Sequence, residues 1–317
     1  MGVDIPLPGG DPTPAGASKL SERNARLARE ARTVAPAGRA TRLWRQLRGD
    51  PRALFGLAVG AIMVVLAVIG PYVTPYDPLR GEFDILQRPS ILHPFGTDSF
   101  GRDVLSQVLY GARISIVVGL GAATLAMAVG VVLGLMAGYY GGWVDDVIGR
   151  YIDLQWAFPE VILALALVAV LGIGVVSVII AIAVAFMDDF ARIIRGEVLR
   201  LREEEFVLAA RTVGMPDRMV MFGEVLPNAM GPVMVHFAVA IGLAILNEAL
   251  LTFIGLGVDP STPTWGFILS DSRSFIQQGW WLSAFPGLAI VLTVLSFNLL
   301  GDGLRDALNV REVELSV

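Results

Sequence analysis

The 317-residue chain has no cysteine and two histidines, His93 and His236, so thiolate chemistry, iron–sulfur centres and a histidine-rich metal site are excluded. Its single lysine, Lys19, is not preceded by glycine, which excludes the G-x-x-x-x-G-K-[ST] loop that cradles nucleotide phosphates. Chemistry is left to carboxylates and arginines at three places. Glu160, His236 and Glu248 fall in or near long apolar runs, where an ionisable side chain is costly and marks either a polar path or a helix-to-helix hydrogen bond. Glu160 lies near the end of its run, within reach of water, and His236 reads as a packing residue. The segment Gly96-Thr97-Asp98-Ser99-Phe100-Gly101-Arg102-Asp103 offers Thr97 or Asp98 as the cap of a helix beginning near Arg102, with Arg102 paired to an aspartate. It lacks the alternating oxygen ligands of a calcium loop. The third place is Glu203-Glu204-Glu205-Phe206-Val207-Leu208-Ala209-Ala210-Arg211-Thr212-Val213-Gly214-Met215-Pro216-Asp217. There Phe206, Ala209, Ala210 and Val213 form a narrow apolar stripe at helical spacing. Gly214 stops that helix and Pro216 opens a second, which predicts two short helices meeting at a sharp bend.

The elements that position these residues are set by composition. Hydrophobic residues make up 55% of the chain and charged ones 17%, a balance that suits lipid better than water and argues against a soluble enzyme, a disordered regulator or a fibre. Residues 1–38 read as a disordered tail and 39–52 as a basic amphipathic helix on a lipid surface or a solvated linker. Apolar runs follow at Ala53–Val73, Ile114–Val144, Asn228–Val258 and Ser274–Gly301, with the first run too far from the start for a cleavable signal. The stretch Leu154–Met187 is long for one span and short for two. Read as a hairpin turning near Leu171–Gly174, it makes six spans and puts 19 of the 24 lysines and arginines on one side; read as one span, it divides them evenly. Excess basic charge marks the cytoplasmic face, so six spans with both termini cytoplasmic are expected. The domain reading is thus a permease-like bundle over 53–308 with a cytoplasmic loop 196–227 and a tail 309–317. The pair Trp280-Trp281 suits an aromatic belt.

The run F-V-L-A-A-R-T-V-G, followed by V-L-P-N, resembles the E-A-A-x-x-x-G loop of ABC importer permeases. Three further stretches resemble the dipeptide and oligopeptide subfamily of DppC/OppC type: His93-Pro94-Phe95-Gly96-Thr97-Asp98 with Gly101-Arg102-Asp103, Ala137-Gly138-Tyr139-Tyr140-Gly141-Gly142-Trp143-Val144-Asp145, and Phe297-Asn298-Leu299-Leu300-Gly301-Asp302-Gly303-Leu304-Arg305-Asp306-Ala307-Leu308. The resemblance implies an all-α membrane protein with the six-helix bundle of type I (MetI-like) permeases. It also implies a second homologous permease, two cytoplasmic ATPases that bind the ATP and magnesium, and an extracytoplasmic peptide-binding protein. This chain itself would hold no cofactor, do no covalent catalysis and bind no nucleic acid. Carried over by position, the ATPase-docking loop comprises Glu205, Phe206, Ala209, Ala210, Arg211, Gly214, Pro216 and Asp217. Asn247 and Glu248 fall in a span placed beside the transport path. Asp98, Arg102, Asp103, Pro263 and Trp265 fall in loops facing the binding protein. Two positions depart from the pattern. Leu208 stands where glutamate is common, leaving Glu205, one turn earlier, to supply the charge; Asp188 and Asp189 stand where proline or an aromatic is common. Related importers carry dipeptides, longer peptides, glutathione, nickel complexes or opines. The competing class is a proton-driven secondary transporter working through Glu160, His236 and Glu248.

Overall fold

The computed structural model describes residues 46–259 and 262–314, the last six of them by backbone alone. By backbone contacts the chain divides into Met1–Gln46 and Leu47–Val317, and the elements below belong to the second unit. The expected tail 1–38 and most of the expected surface helix 39–52 lie outside the described residues.

Asp50 accepts a hydrogen bond from the Arg52 amide and caps α1 (Pro51–Val73). A proline at the first helical position needs no hydrogen-bond donor, so the pair makes a sharp start. After α1 the chain runs without regular secondary structure, apart from an isolated bridge between Thr97 and Asp103, to α2 (Val104–Tyr140). Asp103 caps α2 by accepting from the Ser106 amide, so the cap is neither Thr97 nor Asp98. Apolarity had marked this helix only from Ile114 because its first turns carry Ser106, Gln107 and Arg113. Next come α3 (Gly142–Trp156), α4 (Glu160–Leu171), which is bent 94° from α3 at Pro159, and α5 (Val175–Leu201). The break between α4 and α5 is Gly172-Ile173-Gly174, with both glycines at positive φ. The chain therefore turns where a hairpin was expected. Its arms are unequal: α4 has 12 residues and α5 has 27. At 1.5 Å per residue α4 reaches only about 18 Å, short of a full crossing. Among the described residues, four helices are long and apolar enough to cross a membrane, or five if α3 and α4 count as one bent span. Helix α5 fails that test because Asp188, Asp189 and Arg192 interrupt its apolar run.

After α6 (Glu205–Thr212) the long helix α7 (Asp217–Phe253) returns through the bundle. Its segment Val220–Val225 is π-helical, with the Leu226 amide bonding to the Met221 carbonyl. Pro227 lies just beyond; having no N–H and a ring that collides with the carbonyl four residues back, it is accommodated by this wider turn. So the second of the two short helices expected at the bend is instead the first turn of a helix that runs on through the bundle. The short α8 (Trp265–Ser272) tucks into one end of the bundle, and α9 (Trp281–Glu314) completes it. Outward-facing Ile62, Val65, Val68, Val132 and Val291 are exposed along the helices, as lipid-facing residues must be.

The packing uses small residues. Gly130, Gly134 and Gly138 make a stripe on α2 against α5; a Cβ built on Gly134 would lie 2.1 Å from the Ala191 carbonyl oxygen and one on Gly130 2.3 Å from that of Met187. On α1, a Cβ at Gly56 would lie 2.7 Å from the Ser296 carbonyl oxygen of α9. Lipid supplies no hydrophobic drive between helices, so close backbone approach and its dispersion energy must hold them.

Candidate functional site: a bent loop and an acidic cavity

Helix α6 begins at Glu205 after an extended Glu204, and Gly214 reverses the chain at φ +81, a conformation in which an L side chain is strained. Pro216 then opens α7. Val207 and Ala210 turn inward and are buried, while Phe206, Leu208, Ala209 and Val213 are exposed, Val213 at 79%. The outward stripe is thus 206, 209 and 213. Ala210 belongs to the inner face, because helical spacing from Val207 carries it there. Met219 and Phe222 on the first turns of α7 are exposed as well, so the bend displays a contiguous apolar surface to whatever meets it.

The foot of this bend is fixed. The Tyr139 hydroxyl, at the end of α2, donates to Asp217 Oδ1 at 2.7 Å, and the Arg211 guanidinium lies 4.9 Å from the centre of the Tyr139 ring. Arg202 Nη1 donates to the Gly138 carbonyl at 3.1 Å, taking up a carbonyl that the end of α2 would leave free. Arg195 on α5 forks onto Asp145 of α3, with Nη2 2.6 Å from Oδ2. Of the docking residues expected, Arg211 and Asp217 therefore look inward to α2, and Glu205, Phe206 and Ala209 look outward.

At the opposite end, Asp98 accepts from Arg102 Nε at 2.6 Å and from Gln107 Nε2 at 2.8 Å, and Asp103 Oδ1 lies 2.9 Å from His93 Nδ1. Ser99 donates to Asp271 at 3.0 Å. Burial, with Asp98 nearby, raises the Asp271 carboxyl above its ordinary range, while the Ser99 hydrogen bond and Arg102 pull it down. Trp265 is buried and donates from Nε1 to the Val108 carbonyl at 3.0 Å; Pro263 is buried beside it. Asp98, Asp103, Pro263 and Trp265 thus hold the loops to one another and present no side-chain surface to a partner, contrary to expectation. Trp281 is also buried, donating to the Thr97 carbonyl at 3.1 Å, which leaves Trp280 alone at the surface of the expected belt.

Glu248 has 0% exposure. It accepts from Ser115 of α2 at 2.9 Å and from Thr252 one turn along α7 at 3.0 Å, a tie between two helices rather than the wall of an open path. Asn247 donates to the Leu243 carbonyl at 3.1 Å on its own helix. Sequence reasoning had not assembled a different polar site. Glu160, Asp188 and Asp189 together line a cavity of about 320 Å³ between the α3–α4 bend and α5. His236 Nε2 of α7 approaches Asp189 at 4.0 Å. The signal available was the pair of adjacent acids that ends the apolar first half of α5. Among the described residues, no group of three His, Asp or Glu side chains is placed to hold a metal ion.

Residues 130–312 match the model of the binding-protein-dependent transport system inner membrane component family, which is more than half of the chain. The chain belongs to that family. Residues 39–90 of the permease also match the N-terminal transmembrane domain of oligopeptide transport permease C. It is 44% identical over 267 residues to the dipeptide transport system permease protein DppC of Alkalihalophilus pseudofirmus, covering 84% of this chain and 88% of that one. It is 43% identical over 268 residues to the glutathione transport system permease protein GsiD of Escherichia coli, with the same coverage. Among solved structures, an inward-facing form of the MetNI methionine ABC transporter aligns with TM-score 0.51 at 16% identity, covering 63% of this permease and 96% of that chain. That likeness concerns the fold, which is the MetI-like helical bundle. The match from 130 to 312 spans the bend, the acidic cavity and α7, so the permease is an importer subunit whose relatives are transport proteins and not enzymes.

Proposed function

We propose that this permease forms half of the translocation path of an ATP-driven peptide importer. Its partners are a second, homologous permease, two cytoplasmic ATPases and an extracytoplasmic binding protein. Six segments cross the cytoplasmic membrane in this reading, α4 and α5 being the unequal third and fourth, with both termini and the Gly214 bend in the cytoplasm. The observation that carries it is the two-faced construction of the bend. Its outer face, with Phe206, Leu208, Ala209 and Val213, is an exposed apolar surface of the kind that marks a protein contact. Its inner face is fastened to α2 through Arg211, Tyr139 and Asp217.

A push on the outer face would therefore move α2. Because α2 meets α5 through glycines at backbone contact, the two helices would shift as one body. ATP and magnesium are held by the ATPases; this chain contributes a gate with two positions and no covalent step. Peptides are the cargo class favoured by the 44% identity to a dipeptide permease, with glutathione, nickel complexes and opines as the alternatives.

Reconstitution tests the whole reading. The chain should co-purify with two ATPases and a second permease, and proteoliposomes containing all four should accumulate radiolabelled dialanine only with ATP inside the ATPase-facing compartment and binding protein opposite. Uptake by this chain alone, driven by a proton gradient, would overturn it in favour of a secondary transporter.

A further inference from the structure

The acidic cavity is left without a role by the coupling mechanism. Glu160 opens α4 at the bend after α3, and Asp188 and Asp189 lie on α5, about 20 Å along that helix from Val175 at 1.5 Å per residue. The cavity therefore lies partway along α5 and opens at the α3–α4 bend, where Trp156 and Phe158 are exposed. Its lining comprises the three carboxylates, the Gln155 amide and the rings of Trp156 and Phe158, besides Leu163 and Ala185, and includes no basic side chain.

Two buried atoms in it lack partners. Asp188 is 6% exposed and its Oδ1 has no hydrogen bond; Gln155 is 8% exposed, and while its Nε2 donates to the Val184 carbonyl at 2.5 Å, its Oε1 has no partner. A buried acceptor left unpaired is costly, and more so when it is charged, so such atoms at a cavity wall call for a donor from outside the chain. Both vacant groups are acceptors and the neighbours are anionic. The missing partner is therefore a cation that donates hydrogen bonds. The nearby cations of the chain do not fill this role. The Arg192 guanidinium lies over the Trp156 ring at 3.5 Å, and His236 meets Asp189 at 4.0 Å from outside the lining. A metal ion is disfavoured by the absence, among the described residues, of three ligands at coordinating distance. A volume of about 320 Å³ exceeds what one ammonium group occupies and falls at the lower end of the range of small-molecule sites. Phe158 adds an aromatic wall for the apolar part of such a molecule and a ring face for its charge.

We propose that this cavity is a transient binding site, within the translocation path, for the protonated amino group of the cargo. Asp188 and Gln155 accept its hydrogen bonds, and Glu160 and Asp189 hold the charge. The site rests on the importer reading and names the chemistry of what passes: small molecules bearing a primary ammonium group, such as a peptide with a free N-terminus.

The test uses the assembled permease–ATPase complex in nanodiscs without the binding protein, so that the binding protein's own selectivity does not enter. Radiolabelled dialanine and ethylammonium should bind to the complex and N-acetyl-dialanine should not. Asp188→Asn should weaken dialanine binding about tenfold or more, the scale of a charged hydrogen bond. Glu160→Gln, on an exposed residue whose loss does not threaten folding, should weaken it in the same direction, and Asp188→Glu should restore part of it. Equal binding of the acetylated peptide, or wild-type binding in both Glu160→Gln and Asp188→Asn, would overturn the site. So would an absence of amine binding combined with loss of the second permease from Asp188→Asn, because the carboxylates would then serve a basic side chain of that subunit. Ethylammonium binding that depends on Glu160, in an importer that takes up no dialanine, would sink the peptide reading and leave the amine site standing. Full-rate dialanine uptake with no difference between variants in binding would do the reverse.

Discussion

At the scale of single residues, the exchange of glutamate for leucine at position 208 has a definite geometry. Leu208 is exposed on the outer face of α6, so in the importer reading proposed above it offers a partner an apolar side chain where a glutamate would offer a charge. Glu205, at the first helical position and also exposed, places a carboxylate one turn away. Its charge is favoured by the free amides of the helix start, an effect worth about 0.3–1 kcal/mol at a surface. Glu205→Gln keeps size and helix propensity and removes only the charge. If Glu205 makes the missing ion pair, this variant should bind the ATPases about tenfold more weakly in a titration of detergent-solubilised permease, with peptide-stimulated ATP hydrolysis falling in parallel. Unchanged affinity and hydrolysis would show that Leu208 alone carries the contact. Glu248 teaches the opposite lesson. It looked functional because a carboxylate at lipid depth is costly, and the fold meets that cost with two hydroxyl donors, Ser115 and Thr252.

At the scale of elements, the pairing of α2 with α5 rests on Gly130, Gly134 and Gly138, and this can be broken by one methyl group. Gly134→Ala would put a carbon 2.1 Å from a backbone carbonyl that cannot swing away, so the helices must part at a cost of about 1–3 kcal/mol. The melting temperature of the purified complex should fall, with ATPase coupling lost first. Gly149→Ala on α3, where a Cβ meets nothing within 4 Å, should leave it unchanged or raise it slightly. A result in which both variants melt together would remove the stripe from the explanation. Much of this architecture was legible beforehand, and the reasons for success and failure differ by element. Helix α1 follows from uninterrupted apolarity, and the body of α7 from an apolar run broken only by isolated polar residues such as His236 and Glu248. The turn at Gly172–Gly174 did not follow from periodicity, since the run from Leu154 to Met187 is apolar but for isolated residues such as Gln155 and Glu160; the distribution of basic residues chose a hairpin over a single span. The start of α2 at Val104 was signalled by the capping residues near Arg102 although its polar first turns hid it from apolarity, whereas the course of α7 through Pro227 was hidden because a proline argues locally against helix and the π-helical turn overcomes it. The bend at Gly214 was readable from its glycine and proline. The acidic cavity was not, because its three carboxylates come from two helices, α4 and α5, separated by the reversal at Gly172–Gly174, and no local pattern relates them.

At the scale of the molecule, the unequal arms α4 and α5 make the number of crossings a physical question. A 12-residue helix of about 18 Å cannot traverse roughly 30 Å of hydrocarbon alone, so its crossing must be completed by the α3–α4 bend or by local thinning of the bilayer. In the six-span reading proposed above, Gly172–Gly174 and the Gly214 bend lie on opposite sides, because only then do 19 of 24 lysines and arginines share one face. The absence of cysteine makes this directly measurable, since any single introduced thiol is the sole target of a maleimide. Ile173, in the short turn, is 54% exposed, Ile91, in the long segment before α2, is 99% exposed, and Val213, at the cap of α6, is 79% exposed. In spheroplasts, a membrane-impermeant maleimide should label Ile91→Cys and Ile173→Cys from outside, and Val213→Cys only after the membrane is opened. Labelling of Val213→Cys from outside would invert the topology and place the bend beyond the reach of any cytoplasmic ATPase. Protection of Ile173→Cys before and after opening would mean that α4 and α5 form a single crossing with the turn inside the bilayer. The helices after it would then change sides, the basic residues would divide evenly, and the mechanism that routes a push from the bend through α2 would lose its cytoplasmic origin.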